Sequence, residues 1–302
     1  MAYRLGPMNT FDAVCHALTT LATGGFSTHQ ASMGYFQSSY LEYVCVLFMF
    51  LSGINFGVYH FLFSGRLKVI AKNEELRWYA LLTVIGVVLF VGRFYLAPHL
   101  SIFTDDQLAS HPMSGADRFR TSLFHVVALM SNTGFQGQNF DYDTWGRLFI
   151  IPTVVLMIIG GCAGSTSGGI KVVRVLVIFK YIKKSIYELI HPTSVYNIKI
   201  SDQPVEEMSV RRVVSFFSLF ILLFMVNMVA LTAMGMGLEE AGVSYLTYFS
   251  NYGPGTGVTG PSGTFGNIHV AAKWLLAFDM LVGRLEIFTI LLLFTRSFWR
   301  AK

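Results

Sequence analysis

Three short segments carry glycine and polar residues at a shared spacing that could build a path for a cation. One glycine marks each segment: Gly25, Gly134 and Gly253. Two residues before each glycine stands a polar residue: Thr23, Asn132 and Asn251. Glycine accepts a positive φ and lets an ion approach the backbone, and backbone carbonyls can replace the hydration shell of a cation. The spacing therefore predicts loops that turn carbonyl oxygens towards a pore.

Each loop follows an apolar run that is too short to cross a bilayer, which takes about 20 residues. Acidic residues open the runs, where they favour the positive end of a helix dipole: Asp12, Asp117, Glu239 and Glu240. A helix that enters a membrane and stops must satisfy its backbone inside protein or a watery cavity. One such segment alone is more often an ordinary turn between hydrophobic helices. Three in register favour re-entrant pore helices followed by filter loops.

Histidines also recur in these runs, nine residues before the glycine, as His16 and His125. The third segment has Ser244 at the same position, so a ring of metal or proton ligands is not expected. The histidines are interpreted as hydrogen-bonded packing residues.

The composition indicates what surrounds these loops. Hydrophobic residues make up 53% of the 302 residues and charged residues 13%, against about 25% charged residues in soluble domains. Stretches long and apolar enough to span a bilayer lie at 41–63, 78–97, 148–187 (interrupted), 213–234 and 270–294. We therefore predict an all-α polytopic membrane protein.

The basic residues fall in three clusters, which accounts for the net charge of +5 without a nucleic-acid partner. The clusters are Arg66, Lys68, Lys72 and Arg77; Lys171, Arg174, Lys180, Lys183, Lys184, Lys199, Arg211 and Arg212; and Arg296, Arg300 and Lys302. By the positive-inside rule they mark the cytoplasmic side. The N-terminus and segments 100–145 and 236–268 are then outside, and the C-terminus is cytoplasmic.

A glycine-rich stretch at 160–169 interrupts one of the spans, with five glycines and three hydroxyls in ten residues. A phosphate-binding loop would need Gly-Lys-Ser/Thr, and Gly169 is followed by Ile170 and Lys171. A serine nucleophile in Gly-x-Ser-Gly fails because Ser165 occupies the first glycine position. The stretch is interpreted as an unwound, mobile gate beneath the filter. A helix-packing face of small residues is the alternative.

The last apolar stretch contains charges, namely Lys273, Asp279, Arg284 and Glu286. A charge near mid-membrane costs about 2.5–3.5 kcal/mol on insertion scales, so such residues usually face a cavity or a partner. Asp279 and Glu286 are candidate partners of Arg284, but neither lies three or four residues from it. Pairing across helices is therefore expected, and a purely structural arginine is the alternative.

At this point the sequence resembles the TrkH/KtrB/HKT superfamily of potassium and sodium transporters, and most closely its TrkH type. The matching stretches are LATGGFSTH (21–29), SNTGF (131–135), GGCAGSTSGGIKVVR (160–174), SNYGPGTG (250–257) and KWLLAFDMLVGRLEIFT (273–289). The resemblance covers nearly the whole chain. It implies a channel-like potassium-uptake pore in the bacterial plasma (inner) membrane, with potassium as the ion, no organic cofactor in this chain and no enzymatic activity.

The resemblance also assigns residues. The implied ion filter comprises Thr23, Gly24, Gly25, Asn132, Thr133, Gly134, Asn251, Tyr252 and Gly253. Potassium would lie at Thr23, Gly24, Asn132, Thr133, Asn251 and Tyr252. The implied gate comprises Gly160, Gly161, Gly164, Ser165, Thr166, Gly168, Gly169, Lys171 and Arg284. Lys171 has an equally good explanation as a residue that snorkels to the interface.

The family has four helix–pore-loop–helix units around one pore, and about two and a half are recognisable here. The expected units are 1–76, 77–208 and 209–302, which leaves out the first unit and the first span of the second. A fragment, a split or truncated gene, or a separate chain supplying the first unit would each account for this. The implied partners are membrane lipid, a second copy in a homodimer and a cytoplasmic nucleotide-binding subunit of the TrkA type.

Several alternatives stay open on the residues alone. A sodium-selective or ion-coupled transporter shares the pattern, and passive flux and symport are not distinguished. A truncated, non-conducting membrane subunit is a further hypothesis, of a different class.

Overall fold

The structure is a computed structural model of a helical protein and describes residues 1–96, 114–137, 150–192, 197–260, 263 and 265–300. The described helices are α1 (Thr10–Leu21), α2 (Ser39–Ser52), α3 (Phe56–Phe63), α4 (Leu67–Lys72), α5 (Glu74–Leu96), α6 (Gly115–Met130), α7 (Ile150–Ile159), α8 (Val172–Ile190), α9 (Glu207–Ala233), α10 (Leu238–Phe249), α11 (Val270–Leu285), α12 (Ile287–Leu293) and α13 (Arg296–Arg300). Short 3₁₀ turns cover Ala2–Leu5, Ser32–Phe36, Gly257–Thr259 and Phe265–Asn267. Strands β1 (Lys199–Ile200) and β2 (Gln203–Pro204) pair antiparallel.

The three apolar runs that precede the filter loops are short helices, as predicted. They are α1, α6 and α10, of 12, 16 and 12 residues. Asn9 and Ser114 cap the first two helices by accepting the backbone N–H groups of Asp12 and Asp117. Acidic side chains lie in the first turn of all three, where they stabilise the helix start.

Two of the predicted spans are continuous helices, and a third is sharply bent. Helices α5 and α9 are each long and apolar enough to cross a membrane. The stretch 41–63 was predicted as one span, but α2 and α3 meet at an angle of 95°. The side chain of Asn55 accepts the backbone N–H of Gly57 at 2.7 Å, and it thereby caps a new helix within the apolar run.

The last apolar stretch is broken as well, although 270–294 was predicted as continuous. Glu286 separates α11 from α12 with a φ of +67°, a left-handed conformation that stops a helix. Its carboxylate accepts a 2.7 Å hydrogen bond from Arg174 of α8, so the break lies where the two helices are joined. The interruption predicted at 160–169 is confirmed, since α7 ends at Ile159 and α8 begins at Val172.

Short helices α6 and α10 lie inside the protein and the long helices lie outside, whereas short helix α1 exposes one face, with Phe11 and Leu18 at 69% and 65%. On α6, Phe124, Val126 and Leu129 are completely buried. Long helices α5 and α9 instead expose apolar side chains such as Val88 and Val229, at 63% and 65%. For α6 and α10 this arrangement fits short helices that are shielded by protein, and for α5 and α9 it fits long helices that face lipid.

A buried ion pair connects short helix α6 to α2. Arg120 of α6 donates from Nε to a Glu42 carboxylate oxygen at 2.7 Å, and Glu42 is only 2% exposed. The same guanidinium contacts Asp117 at 2.8 Å. Because Glu42 lies on α2, this pair holds α6 against α2.

We expect the Glu42→Gln variant to be clearly less stable, because it leaves the Arg120 charge short of its buried partner. Removal of one partner of a buried ion pair costs about 3–5 kcal/mol of folding stability. Because Arg120 still pairs with Asp117 in this variant, we expect a loss at the lower end of that range. The measurement is the free energy of unfolding in an SDS titration of the purified chain. Glu207→Gln breaks the fully exposed Glu207–Arg211 pair and is the matched control, with no change expected. Equal effects of the two variants would contradict the prediction.

Candidate ion-conduction site

The three loops that follow α1, α6 and α10 open onto one cavity of about 550 Å³. Its lining includes eight of the nine predicted filter residues: Thr23, Gly24, Gly25, Thr133, Gly134, Asn251, Tyr252 and Gly253. Asn132, the ninth, is completely buried. Segments more than 200 positions apart in the sequence therefore meet at one place.

The loops share an unusual backbone. The polar residue two positions before the glycine has a positive φ in all three, at Thr23 (+51°), Asn132 (+52°) and Asn251 (+57°). The glycines do as well, at Gly25 (+66°), Gly134 (+77°) and Gly253 (+104°). A non-glycine residue with positive φ is uncommon, so its recurrence at one register position marks the three loops as copies of one conformation.

Neighbouring loops touch through their glycines. A Cβ added to Gly25 would lie 1.9 Å from the carbonyl oxygen of Thr133. In the same way, a Cβ on Gly134 would lie 1.9 Å from the carbonyl oxygen of Tyr252. A Cβ on Gly253 would meet no described atom within 4 Å. Each contact thus joins the glycine of one loop to the residue before the glycine of the next.

Each of the three short helices has its C-terminal end next to this cavity. The C-caps of α1, α6 and α10 are Ala22, Ser131 and Ser250, and the loops begin immediately after them. The C-terminal end of a helix carries about half a negative charge. Three such ends around one cavity attract a cation and disfavour an anion.

The polar side chains two residues before the glycines bind the surrounding protein. Thr23 donates to the carbonyl of Thr166 at 2.7 Å, and Asn251 donates to the carbonyl of Phe249 at 3.2 Å. Asn132 donates to the carbonyl of Met157 at 2.8 Å and accepts from Ser167 at 3.1 Å. These side chains hold the loops in place and leave the backbone to line the cavity.

The stretch 160–171 lies directly against the ends of the short helices. The backbone N–H of Gly169 donates to the carbonyl of Ser250 at 3.1 Å, and a Cβ on Gly168 would lie 1.9 Å from that oxygen. The Thr166 hydroxyl donates to the carbonyl of Leu21 at 3.0 Å. Together with the Asn132–Ser167 contact, these bonds connect the stretch to all three repeats.

The glycines of this stretch allow close backbone contacts. Gly160 and Gly164 have φ values of +69° and +68°, and a Cβ on Gly160 would lie 2.5 Å from the carbonyl oxygen of Gly168. A Cβ on Gly161 would lie 2.8 Å from the carbonyl oxygen of Gly53. Close packing against polar backbone argues for a defined loop rather than a face of small residues against another helix.

Two positively charged side chains donate hydrogen bonds to backbone carbonyls of this stretch. Arg284 of α11 lines the cavity and donates from Nη1 to the carbonyl of Thr166 at 2.8 Å. Lys171, with a φ of +85°, donates from Nζ to the carbonyl of Ser167. The Ser165 hydroxyl instead closes a local turn by donating to the carbonyl of Cys162 at 2.6 Å. Thr166 therefore connects a filter residue, Thr23, to Arg284 through one oxygen.

The candidate carboxylate partners of Arg284 are not the ones it contacts. Glu286 pairs with Arg174, and Asp279 is buried with Oδ2 unbonded among the described residues. Arg284 instead contacts the backbone carbonyl of Thr166, which lies in the non-helical stretch between α7 and α8. An apolar stretch of sequence does not reveal which backbone groups an interrupted helix leaves free.

Some residues around the site were missed by sequence reasoning. The Gly53 carbonyl accepts the N–H of Cys162 at 2.9 Å, and Glu75 accepts the N–H of Ala163 at 2.6 Å. A Cβ on Gly283 would lie 1.8 Å from the Phe249 carbonyl oxygen, so α11 packs tightly on the end of α10. Gly53 and Gly283 were detectable as small residues inside apolar stretches, whereas Glu75 resembles an ordinary interfacial acid.

In two of the three repeats, the residue nine positions before the glycine forms a hydrogen bond from its short helix to the loop that follows that helix. His16 contacts the Ser27 hydroxyl at 2.9 Å, and Ser244 contacts the Thr259 hydroxyl at 2.9 Å. The interpretation of His16 as a hydrogen-bonded packing residue is confirmed by these contacts. His125 lies on α6 and is completely buried.

We expect His16→Ala to lower the discrimination between rubidium and sodium by about fivefold, because the loop after Gly25 loses a hydrogen bond of about 1 kcal/mol. Uptake of the two ions would be measured under the same conditions. His60→Ala, which changes an exposed histidine of α3, should leave the ratio unchanged. An unchanged ratio in His16→Ala as well would show that the contact does not position the filter.

Comparison with known proteins places this geometry in a family. The sequence profile of the TrkH family, described as cation transport protein, matches residues 3–300. The Trk system potassium uptake protein TrkH of Escherichia coli K12 is 36% identical over 299 residues, covering 97% of this chain and 58% of that protein. TrkH of Vibrio parahaemolyticus is 37% identical over 304 residues, covering 100% of this chain and 59% of the relative. The chain thus spans a little under three fifths of these relatives.

A solved structure agrees with the fold. The crystal structure of the potassium transporter TrkH from Vibrio parahaemolyticus superimposes with a TM-score of 0.85 at 36% identity, covering 99% of this chain and 61% of that one. The predicted fold class, a helical membrane protein, is confirmed. The family is one of cation transport proteins and not of enzymes, in agreement with the prediction. The chain belongs to the TrkH family of cation transport proteins.

Proposed function

We propose that the chain forms part of a channel-like pore for potassium uptake across the bacterial plasma membrane. The observation that carries this proposal is the shared backbone conformation of three loops around one cavity. The relatives named above are potassium uptake proteins, which favours potassium over sodium as the ion.

The ion path runs between the loops. Potassium loses water as it enters and is coordinated by backbone carbonyls of the predicted filter, including those of Gly24, Thr133 and Tyr252. These residues stand at the same register position, and two of their carbonyls are held against the glycine of a neighbouring loop. The negative ends of the three short helices offset part of the cost of dehydration.

The stretch 160–171 is the proposed gate. It lies across the cavity end of the repeats and is held by several hydrogen bonds, while Cys162 and Ile170 are its buried apolar side chains. Hydrogen bonds contribute about 1 kcal/mol each, so a few of them can exchange without unfolding the surrounding helices. Arg284 adds a positive charge to the cavity and opposes cation passage while it binds Thr166.

A fourth loop is proposed to complete the ring. Gly25 and Gly134 each meet the carbonyl of the next loop, whereas Gly253 faces open space among the described residues. The proposed units 1–76, 77–208 and 209–302 account for three loops. The fourth comes from the first unit, either in a longer form of this protein or in a separate chain.

The proposed partners and orientation follow the resemblance and the charges. The relatives belong to a multi-component Trk system by name, which supports a cytoplasmic nucleotide-binding subunit of the TrkA type, and the resemblance supports a homodimer. By the positive-inside rule, the basic clusters support a cytoplasmic C-terminus and an N-terminus of this chain outside.

The test is rubidium uptake in cells stripped of their own potassium-uptake systems. One culture expresses the chain alone, and another expresses it with the N-terminal part of the Vibrio parahaemolyticus relative. Uptake in the second culture, or in both, at a rate well above that of sodium supports the proposal. No uptake in either culture, despite confirmed membrane insertion, contradicts it and favours a non-conducting subunit.

A further inference from the structure

A large groove lies away from the ion cavity, between α5, α8 and the hairpin β1–β2. Its volume is about 950 Å³. The lining includes Trp78 and Leu82 from α5 and Val175 and Phe179 from α8. The hairpin is docked on the start of α5, since the backbone N–H of Glu74 donates to the Ser201 hydroxyl at 2.9 Å. The groove is therefore a built feature that three elements form together.

The walls of the groove are apolar. Trp78 and Phe179 are 40% and 66% exposed although both are large hydrophobic residues. Leu176 and Val172 form the buried floor. Trp78 follows the first turn of α5, a span by length and composition, and tryptophan at the end of a span marks the level of the lipid headgroups. An acyl chain of a membrane lipid could thus enter the groove from the side.

Three lysines border the same groove, namely Lys180, Lys183 and Lys199. Lys180 is already engaged, because its ammonium group lies 2.6 Å from a Glu74 carboxylate oxygen and 2.6 Å from the Lys199 carbonyl oxygen. Lys183 and Lys199 are exposed, and neither forms an ion pair with another described residue. The groove therefore combines apolar walls with two available positive charges.

We propose that this groove binds one anionic phospholipid, with the headgroup phosphate at Lys183 and Lys199 and an acyl chain along Trp78 and Phe179. Basic pockets beside cytoplasmic helix ends suit anionic lipid headgroups, and these lysines belong to a basic cluster that the charge distribution assigns to the cytoplasmic side. A free phosphate ion would leave the apolar walls uncovered. A zwitterionic lipid such as phosphatidylcholine would bring its own ammonium group next to the two lysines and offset the attraction of its phosphate.

The site has a consequence for the proposed gate. Val172, in the floor, is the first residue of α8, and its backbone N–H donates to the carbonyl of Gly161 at 3.0 Å. Ile159, the last residue of α7, also lines the groove. A lipid in the groove therefore contacts the residues that flank both ends of the stretch 160–171.

The test is lipid retention by the purified chain, counted by native mass spectrometry during titration with phosphatidylglycerol and, separately, phosphatidylcholine. The expected result is one tightly retained phosphatidylglycerol and no equivalent phosphatidylcholine. Lys183→Gln combined with Lys199→Gln should weaken that retention by about thirtyfold, which is about fivefold for each charge near the surface. Lys68→Gln combined with Lys72→Gln removes two charges from another basic cluster and is the matched control.

A second variant tests the apolar part without changing charge. Val175→Trp fills the groove and should abolish retention, provided that the variant elutes as a single species with unchanged helical content. Equal retention of both lipids, or equal losses in the two lysine pairs, would overturn the proposal in favour of diffuse electrostatic attraction. Displacement of the lipid by inorganic phosphate would overturn it in favour of a phosphate site. Because the readout is binding, its failure is independent of ion conduction.

Discussion

Alanine at position 134 is expected to reduce rubidium uptake about a hundredfold. The new Cβ would lie 1.9 Å from the carbonyl oxygen of Tyr252 and 3.2 Å from Pro254, so the two loops must separate. The backbone at Gly134 also has a φ of +77°, which costs about 1–2 kcal/mol for an L-residue. A displacement of about 1 Å at a preorganised site is enough for a loss of that size.

The measurement is uptake in the culture in which the unaltered protein is active, corrected for the amount of protein in the membrane. Gly92→Ala is the matched control, since Gly92 lies within helix α5 and a Cβ there meets no described atom within 4 Å. Its uptake should match that of the unaltered protein. If Gly134→Ala also retained full uptake, the contact between the loops would not form part of the ion path.

The Gly253→Ala variant distinguishes the effect of backbone strain at a positive φ from the effect of a steric clash between neighbouring loops. Its φ of +104° makes alanine unfavourable, but no described atom lies within 4 Å of the added Cβ. When the chain acts alone, this variant should lose less uptake than Gly134→Ala. Addition of the N-terminal part of the relative should make the two losses similar, because a fourth loop then meets Gly253.

The repeat was predictable because it is local. The acids at the helix starts, the short apolar runs and the glycines are each properties of about 15 consecutive residues. The shared positive φ at Thr23, Asn132 and Asn251 explains why their register was detectable, since asparagine tolerates that conformation better than most residues. Local sequence therefore identified three copies of one conformation.

The interruptions were harder to predict because they depend on distant partners. The stretch 41–63 is apolar enough for one span, yet the break at 53–55 is stabilised by the stretch 160–171. The Phe56 N–H donates to the carbonyl of Gly164 at 3.0 Å, across more than 100 positions. Similarly, Glu286 stops α11 where Arg174 of α8 can reach it. A hydropathy profile contains no information about either distant partner, Gly164 or Arg174.

The side chains of the filter were the least predictable part. The spacing does not distinguish a polar side chain that faces an ion from one that fastens the loop. Asn132 is fully buried and bonded to Met157 and Ser167, so its side chain belongs to the support. Only the positions of α7 and the glycine-rich stretch reveal this, and both are set by tertiary packing.

Removal of the positive charge at Arg284 is expected to raise cation flux about a hundredfold when the gate limits the rate. A unit charge about 6 Å from a cation costs about 3 kcal/mol at an effective dielectric constant of about 20. The variant is Arg284→Gln, which removes the charge and keeps an amide donor on a shorter side chain. Initial rubidium flux into proteoliposomes reports the change.

Arg284→Lys and Arg284→Ala complete the series and separate the charge from the hydrogen bond. Arg284→Lys keeps the charge in the cavity and should conduct nearly as the unaltered protein does. Arg284→Ala loses both charge and donor, so the stretch 160–171 is released from α11 and flux should exceed that of Arg284→Gln. A flux in Arg284→Gln no higher than in Arg284→Lys would assign the arginine to packing alone. If instead Arg284→Ala failed to insert while Arg284→Gln inserted and conducted normally, the hydrogen bond to Thr166 would be structural and the gate would lie elsewhere.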